Sequence, residues 1–328
     1  MRSIQESVAT AQRKVQPKHK QIHNAVSLST RFRHRKSIPT LFFSLLKLSI
    51  LIQKEIGLEF LRSLISEFQA NCDSVEMTQE YHFNCHRTFE PLLFSFFQVS
   101  TQFLQNMTVF VNNLNAESRR LLLSCLSLIH EILQWDFSAS ISFLGYLSAN
   151  LKFSQKRSRA NMSGKEWANM LVKNAHVLHF FGGLQKQVRK DSELNEMCLN
   201  IITQLSSISG KIFDHKEEQK SYLGFVLALT VQLVSTSHEA GSTRELVLVA
   251  QIVHTISTNF NVTILFSVKG FLESFLPSVT KFTCDSLQAL QSFLTSEGKQ
   301  DDEEVEECWQ MKTFSVLLSA CKSSNNLL

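Results

Sequence analysis

The stretch at residues 116–134, AESRRLLLSCLSLIHEILQ, decides the fold class. Leu121, Cys125, Leu128 and Ile132 recur at spacings of four, three and four. Leu122, Leu126, Ile129 and Leu133 form a second stripe beside the first, and Arg120, Ser124, Ser127, Glu131 and Gln134 make the polar side. A helix turns about 100° per residue, so the two stripes merge into one wide apolar face. A face that wide predicts a helix packed between other helices.

The same spacing extends outward in both directions. Leu41, Leu45, Leu48 and Ile52, widened by Phe42 and Leu46, mark one helix, and Leu58, Leu61, Leu64, Ile65 and Phe68 mark another over 55–70. A loop is expected at 71–80, then a helix over 84–106 carrying Phe89, Leu93, Phe96, Phe97, Phe103 and Leu104, with Pro91 near its start, where a missing N–H costs least. The stretch 136–163, with Lys156, Arg157 and Arg159 clustered, is the least regular. Ser163 and Glu166 make a capping box before a short helix around Trp167, and Ser242 with Glu245 makes a second. Further helices are predicted over 174–190, 192–209, 217–236, 243–260, 264–295 and 304–322, with Pro277 splitting or kinking the 264–295 segment.

Little else in the chain interrupts a helix. It has 10 Gly and 4 Pro in 328 residues, against average usages of about 7% and about 5%. No short β-branched runs alternate with the helices, which disfavours a parallel sheet. Helix pairs begin near 38, 84, 174, 215 and 264, spaced by roughly 40–50 residues apart from one gap, close to the HEAT and armadillo period of about 40–47. The expected fold is all-α, an α-solenoid of antiparallel helix pairs over 37–328 behind a basic, disordered tail at 1–36.

Charge and cysteine usage bound the function classes. Residues 1–36 hold nine Lys/Arg against Glu6, while the rest of the chain is slightly acidic. A solvated tail is the preferred reading of that segment, ahead of a mitochondrial presequence or an arm for nucleic acid or a membrane surface. The apolar run Ile38–Ile52 contains Pro39 and Lys47 and falls short of the roughly 20 residues a bilayer span needs. The net charge of +4 gives no case for nucleic acid. Seven cysteines without CxxC pairing point to a reduced, intracellular protein. The sequons at Asn106, Asn161 and Asn261 are expected to be chance.

Motifs for chemistry are weak. Cys72, His82, Cys85 and His86 offer metal-ligating types, but Cys85 and His86 are adjacent and would point about 100° apart on a helix. Gly182-Gly183 lacks the strand-then-helix context of a phosphate loop, so close helix packing is the simpler reading. Neither catalysis nor a cofactor nor a metal is expected. The Phe stripes read as core, with one or two exposed Phe marking a groove for a partner. Asp301, Asp302, Glu303, Glu304, Glu306 and Glu307 are the candidate partner-binding residues, because six acids in seven positions exceed what a helix start requires. Helical spacing there would put Glu303 and Glu307 on one face and turn Trp309 toward the core.

Several segments carry a family resemblance. Residues 61–68 (LRSLISEF), 80–89 (EYHFNCHRTF), 132–137 (ILQWDF), Glu166-Trp167, Phe180-Phe181, Asp191-Ser192 and 204–213 (QLSSISGKIF) resemble, in order and at similar spacing, the exportin branch of the importin-β superfamily. Within that branch the exportin-4-like receptors are the most similar, and exportin-7-like receptors share the layout. The resemblance implies a HEAT-repeat superhelix in nucleus and cytoplasm that binds protein cargo together with RanGTP and crosses the nuclear pore by weak contacts with nucleoporin Phe-Gly repeats. It implies translation initiation factor 5A and some transcription regulators as cargo. Residues 1–36 do not resemble the repeats that hold Ran, so the expectation is a partial or divergent receptor for which Ran binding is not carried over. A HEAT scaffold without transport activity is the alternative.

Overall fold

The computed structural model describes Leu58, Arg62, Ile65 and residues 79–108, 111, 115–135, 165–210, 212–240 and 243–296. The chain divides into two units, Met1–Asp73 and Ser74–Leu328. In the first, Leu58, Arg62 and Ile65 are helical, and Leu58 and Ile65 are buried as their stripe requires. The second unit holds the remaining described residues.

Nine α-helices occur among its described residues, and none of those residues forms a strand. They are α1 (Gln79–Met107), α2 (Ala116–Leu133), α3 (Lys165–Trp167), α4 (His176–Val188), α5 (Ser192–Ser206), α6 (Lys216–Ala240), α7 (Thr243–Asn259), α8 (Val262–Phe266) and α9 (Leu276–Ser296). Single π-helical turns follow α3 at Ala168–Val172 and precede α9 at Phe271–Phe275. Side-chain caps start three of the helices. Asn115 accepts from the Ser118 N–H at 2.7 Å, Asp191 from Leu194 at 3.2 Å and Asn261 from Thr263 at 2.9 Å, each satisfying a donor that the helix start leaves orphaned. The Asn261 sequon thus has a structural use for its side chain.

The helices pack as pairs, α1 on α2, α4 on α5 and α6 on α7. Residues 189–191 alone join α4 to α5, and 241–242 alone join α6 to α7, connections short enough to make antiparallel neighbours of those two pairs. Successive pairs then stack in two rows. In one row α5 lies between α2 and α7, and in the other α6 lies between α4 and α9. This is the expected α-solenoid arrangement. Because α5 meets α2, α4 and α7, it buries residues on most of its circumference, including Leu194, Cys198, Leu199, Ile201, Ile202 and Leu205. Each such Leu or Ile contributes about 1.5–3 kcal/mol on burial.

Four expectations change in detail. α1 begins at Gln79, inside the expected loop, and runs unbroken to Met107, so Pro91 is its thirteenth residue and not part of its first turn. Ser127, placed on the polar side of α2, is buried, because α2 is covered by both α1 and α5. The 264–295 segment is indeed divided, but at residues 267–270 and not at Pro277. Gly270 there takes a φ of 87°, a conformation free of strain only for glycine, and Pro277 sits in the first turn of α9. Of the glycine pair in α4, Gly182 fits the close-packing reading, since a Cβ there would lie 2.7 Å from Leu229 Cδ1, whereas Gly183 faces open space.

The path from α3 to α4 has no counterpart in the sequence reading. Trp167 packs its ring against Phe94 at 5.1 Å and Phe97 at 5.3 Å, which anchors the π turn to α1. Buried Ala175 then adopts a φ of 47°, a left-handed conformation costing a non-glycine residue about 1 kcal/mol. The surrounding packing holds it there.

Candidate functional site

The first feature that could serve a partner is a polar edge where three helices of one row begin. Arg119, in the first turn of α2, donates from Nε to Asp191 Oδ2 at 2.5 Å and from Nη2 to Asp191 Oδ1 at 2.8 Å. The same Nη2 reaches Glu193 at 2.7 Å. These bonds, with the Leu194 N–H, hold the Asp191 carboxyl below its ordinary range against the opposing effect of burial. Arg244, at the start of α7, pairs with Glu196 of α5. Three of the row's helix starts are thereby tied across the surface.

Behind this edge lies a buried polar network. Glu245 is almost fully enclosed, and Arg189 meets it twice, Nη2 to Oε1 at 2.9 Å and Nε to Oε2 at 3.3 Å. Arg189 Nη2 also donates to the Thr236 carbonyl at the end of α6. Asn195 Nδ2 donates to Glu245 Oε2 at 3.1 Å, and Asn195 Oδ1 accepts from Gln185 Nε2 at 2.9 Å. A buried carboxylate persists only when paired and hydrogen-bonded. Sequence patterning placed Glu245 in a capping box with Ser242. The structure turns its carboxylate inward to Arg189, a partner 56 residues away that local spacing gives no means of finding.

The second feature is apolar. Phe266 is 49% exposed, Leu272 51% and Leu276 44%, all within eleven residues around the Gly270 turn. Phe271 and Phe275 lie beneath, their rings stacked at 5.6 Å, and Phe266 meets Phe271 edge-on at 5.4 Å. The π turn adds one residue to the helical ladder, so the two buried Phe and the two exposed Leu project to different sides. An exposed Phe is the partner mark that the Phe stripes lead one to expect.

The remaining candidates are quickly placed. Asp301, Asp302, Glu303, Glu304, Glu306 and Glu307 lie outside the described residues, as do Cys72, Lys156, Arg157, Arg159 and Trp309. His82, Cys85 and His86 fall on the backbone of α1, where adjacent positions diverge. Among the described residues no three His, Cys, Asp or Glu gather as a metal site, and no helix is long and apolar enough to cross a membrane. Burial pushes the Cys125 thiol up to about 12, only partly offset by its bond to the Ser100 carbonyl at 3.4 Å, and raises Cys198 further. Thiols held protonated in this way are packing groups, not nucleophiles.

The arrangement is one of surfaces presented by stacked helices. Residues 40–324 match the family model described as Exportin-4. The match takes in all nine helices, both rows and the colinear segments from residues 61–68 to 204–213 that carry the resemblance. The chain therefore belongs to the exportin-4 family, whose members are transport receptors.

Proposed function

We propose that the chain acts as a nuclear export receptor, or as part of one, binding protein cargo together with RanGTP and moving between nucleus and cytoplasm. The observation that carries this reading is the family match over residues 40–324. Translation initiation factor 5A is the cargo that the family suggests. The acidic run Asp301–Glu307 is our candidate for contact with a basic partner, because its charge would steer one toward it. Phe266, Leu272 and Leu276 supply exposed apolar footholds of the kind that weak contacts with nucleoporin Phe-Gly repeats require.

Pull-downs of the full chain with translation initiation factor 5A and Ran, loaded with GTP or GDP, test the reading. Cargo capture that depends on RanGTP supports it. Capture that ignores the nucleotide, or no capture at all, favours a second reading, a HEAT scaffold without transport activity. Reversing Asp302, Glu304 and Glu306 to Lys should weaken a confirmed basic partner, and unchanged binding at low salt would remove the acidic run from the proposal.

A further inference from the structure

We infer that Arg189-Lys190-Asp191 is a coupling clasp that makes the three stacked pairs α1/α2, α4/α5 and α6/α7 move as one block and leaves bending to the segment 260–275. The two charged ends of this tripeptide point in opposite directions along the stack. Asp191 reaches back to Arg119, 72 residues earlier, through a bidentate pair. Arg189 reaches forward to Glu245, 56 residues later, through a buried ion pair and one hydrogen bond, Nε to Oε2, and to the Thr236 carbonyl. One residue, Lys190, separates the ends, on a linker too short to absorb a displacement. A shift of α7 against α5 therefore pulls on the same linker that caps α5 and holds α2.

The chemistry makes that shift costly. The bidentate Arg119–Asp191 pair is directional and tolerates little sliding. Glu245 is 2% exposed, so separation would leave a buried carboxylate without its cation. Asn195, bonded to both Glu245 and Gln185, fixes the depth of α5 between α4 and α7. At 260–275 the described packing is made of Phe260, Leu265, Val268, Phe271 and Phe275, around a glycine turn and a π turn. Apolar contacts are non-directional, so this segment can pivot while keeping its burial.

Hydrogen exchange on the full chain, followed peptide by peptide, tests the inference without reference to transport. In the wild-type protein, α2, α5 and α7 should open with one common free energy, and α8 with the π turn should open more readily. Arg189→Met should raise exchange in α7 roughly tenfold or more above that in α2, and Arg119→Met should free α2 while α5 and α7 stay together. Lys190→Ala, between the two ties, should change nothing. The same factor of increase in all three helices after Arg189→Met would show a plain stability contribution and overturn the clasp, as would independent opening in the wild type. Should Arg189→Met fail to fold, a salt titration of the wild type takes its place. Screening should release α2, through its part-exposed Arg119 pair, before α7. Release of both at the same salt, or of neither, would count against the inference.

Discussion

The linker 189–191 and the turn 267–270 both join one helical segment to the next, and they do so by opposite means. The first is charged at both ends and pinned by partners 72 and 56 residues away in sequence. The second closes on itself: Ser267 Oγ bonds the Ile264 carbonyl at 2.7 Å, Val268 N–H bonds Leu265, and Gly270 supplies the left-handed step. One linker takes its conformation from distant repeats, the other from its own residues. A helical array built with both kinds has a section whose pairs are cross-tied by charge and a section whose described core is mainly apolar. Exposed apolar groups collect at the second, where Phe266, Leu272 and Leu276 surround the turn.

The sharpest way to probe this contrast is the same substitution in both sections. Leu128→Asp puts a charge at a fully buried site between α1, α2 and α5 and should cost more than about 4 kcal/mol, enough to unfold the array. Leu276→Asp, at an exposed site, should shift the melting temperature little while removing an apolar foothold from the surface. Equal losses in thermal unfolding would erase the distinction. Next in size, Arg189→Met should cost about 3 kcal/mol because Glu245 is left buried without its cation. A double variant with Glu245→Met should recover part of that loss in denaturant titrations.

Glycine substitutions give smaller effects of opposite sign. Gly270→Ala should destabilise by about 1–2 kcal/mol through its left-handed backbone. Gly183→Ala should stabilise by about 0.5–1 kcal/mol, since it lies exposed in α4 with nothing near the added methyl. At Gly182 the same change must push Leu229 aside, which offsets the gain.

The smallest effect should be the pH response of the outer tie. Asp191 is held below its ordinary value chiefly by Arg119. Its contribution is therefore complete above the ordinary aspartate value of about 3.9 and is lost as pH falls through the lowered folded value. Melting between pH 5 and pH 3 should be less pH-dependent in Arg119→Met than in the wild type. Identical slopes would mean that the pair adds nothing, as is common for part-exposed pairs.

Much of the fold was legible because periodicity reports burial directly. The stripes at Leu122, Cys125, Leu126, Ile129 and Ile132, and at Leu194, Ile201 and Leu205, are the residues the structure buries. A polar position misread in the sequence can owe its burial to a neighbour supplied by another repeat. Ser127 is covered by such a neighbour. Ala175 shows the limit differently, since nothing about an alanine announces a left-handed backbone, and the structure buries it fully in that conformation. The candidate surface was legible in kind and not in place. An exposed Phe was expected, but Phe266 could not be told from the buried Phe271 and Phe275 until the π turn set their directions.

By itself the sequence determined the all-α class, the pairing of helices and the family, because apolar spacing and residue order are local properties that survive without coordinates. Tertiary structure alone decided which charged residues are structural. Glu245 looked like a cap and is a buried counterion, and Asp191, which caps α5, is also the anchor of Arg119. The physical reason is that a charge takes its role from whatever opposite charge lies within a few ångströms, and in a stacked array that partner comes from the neighbouring repeat.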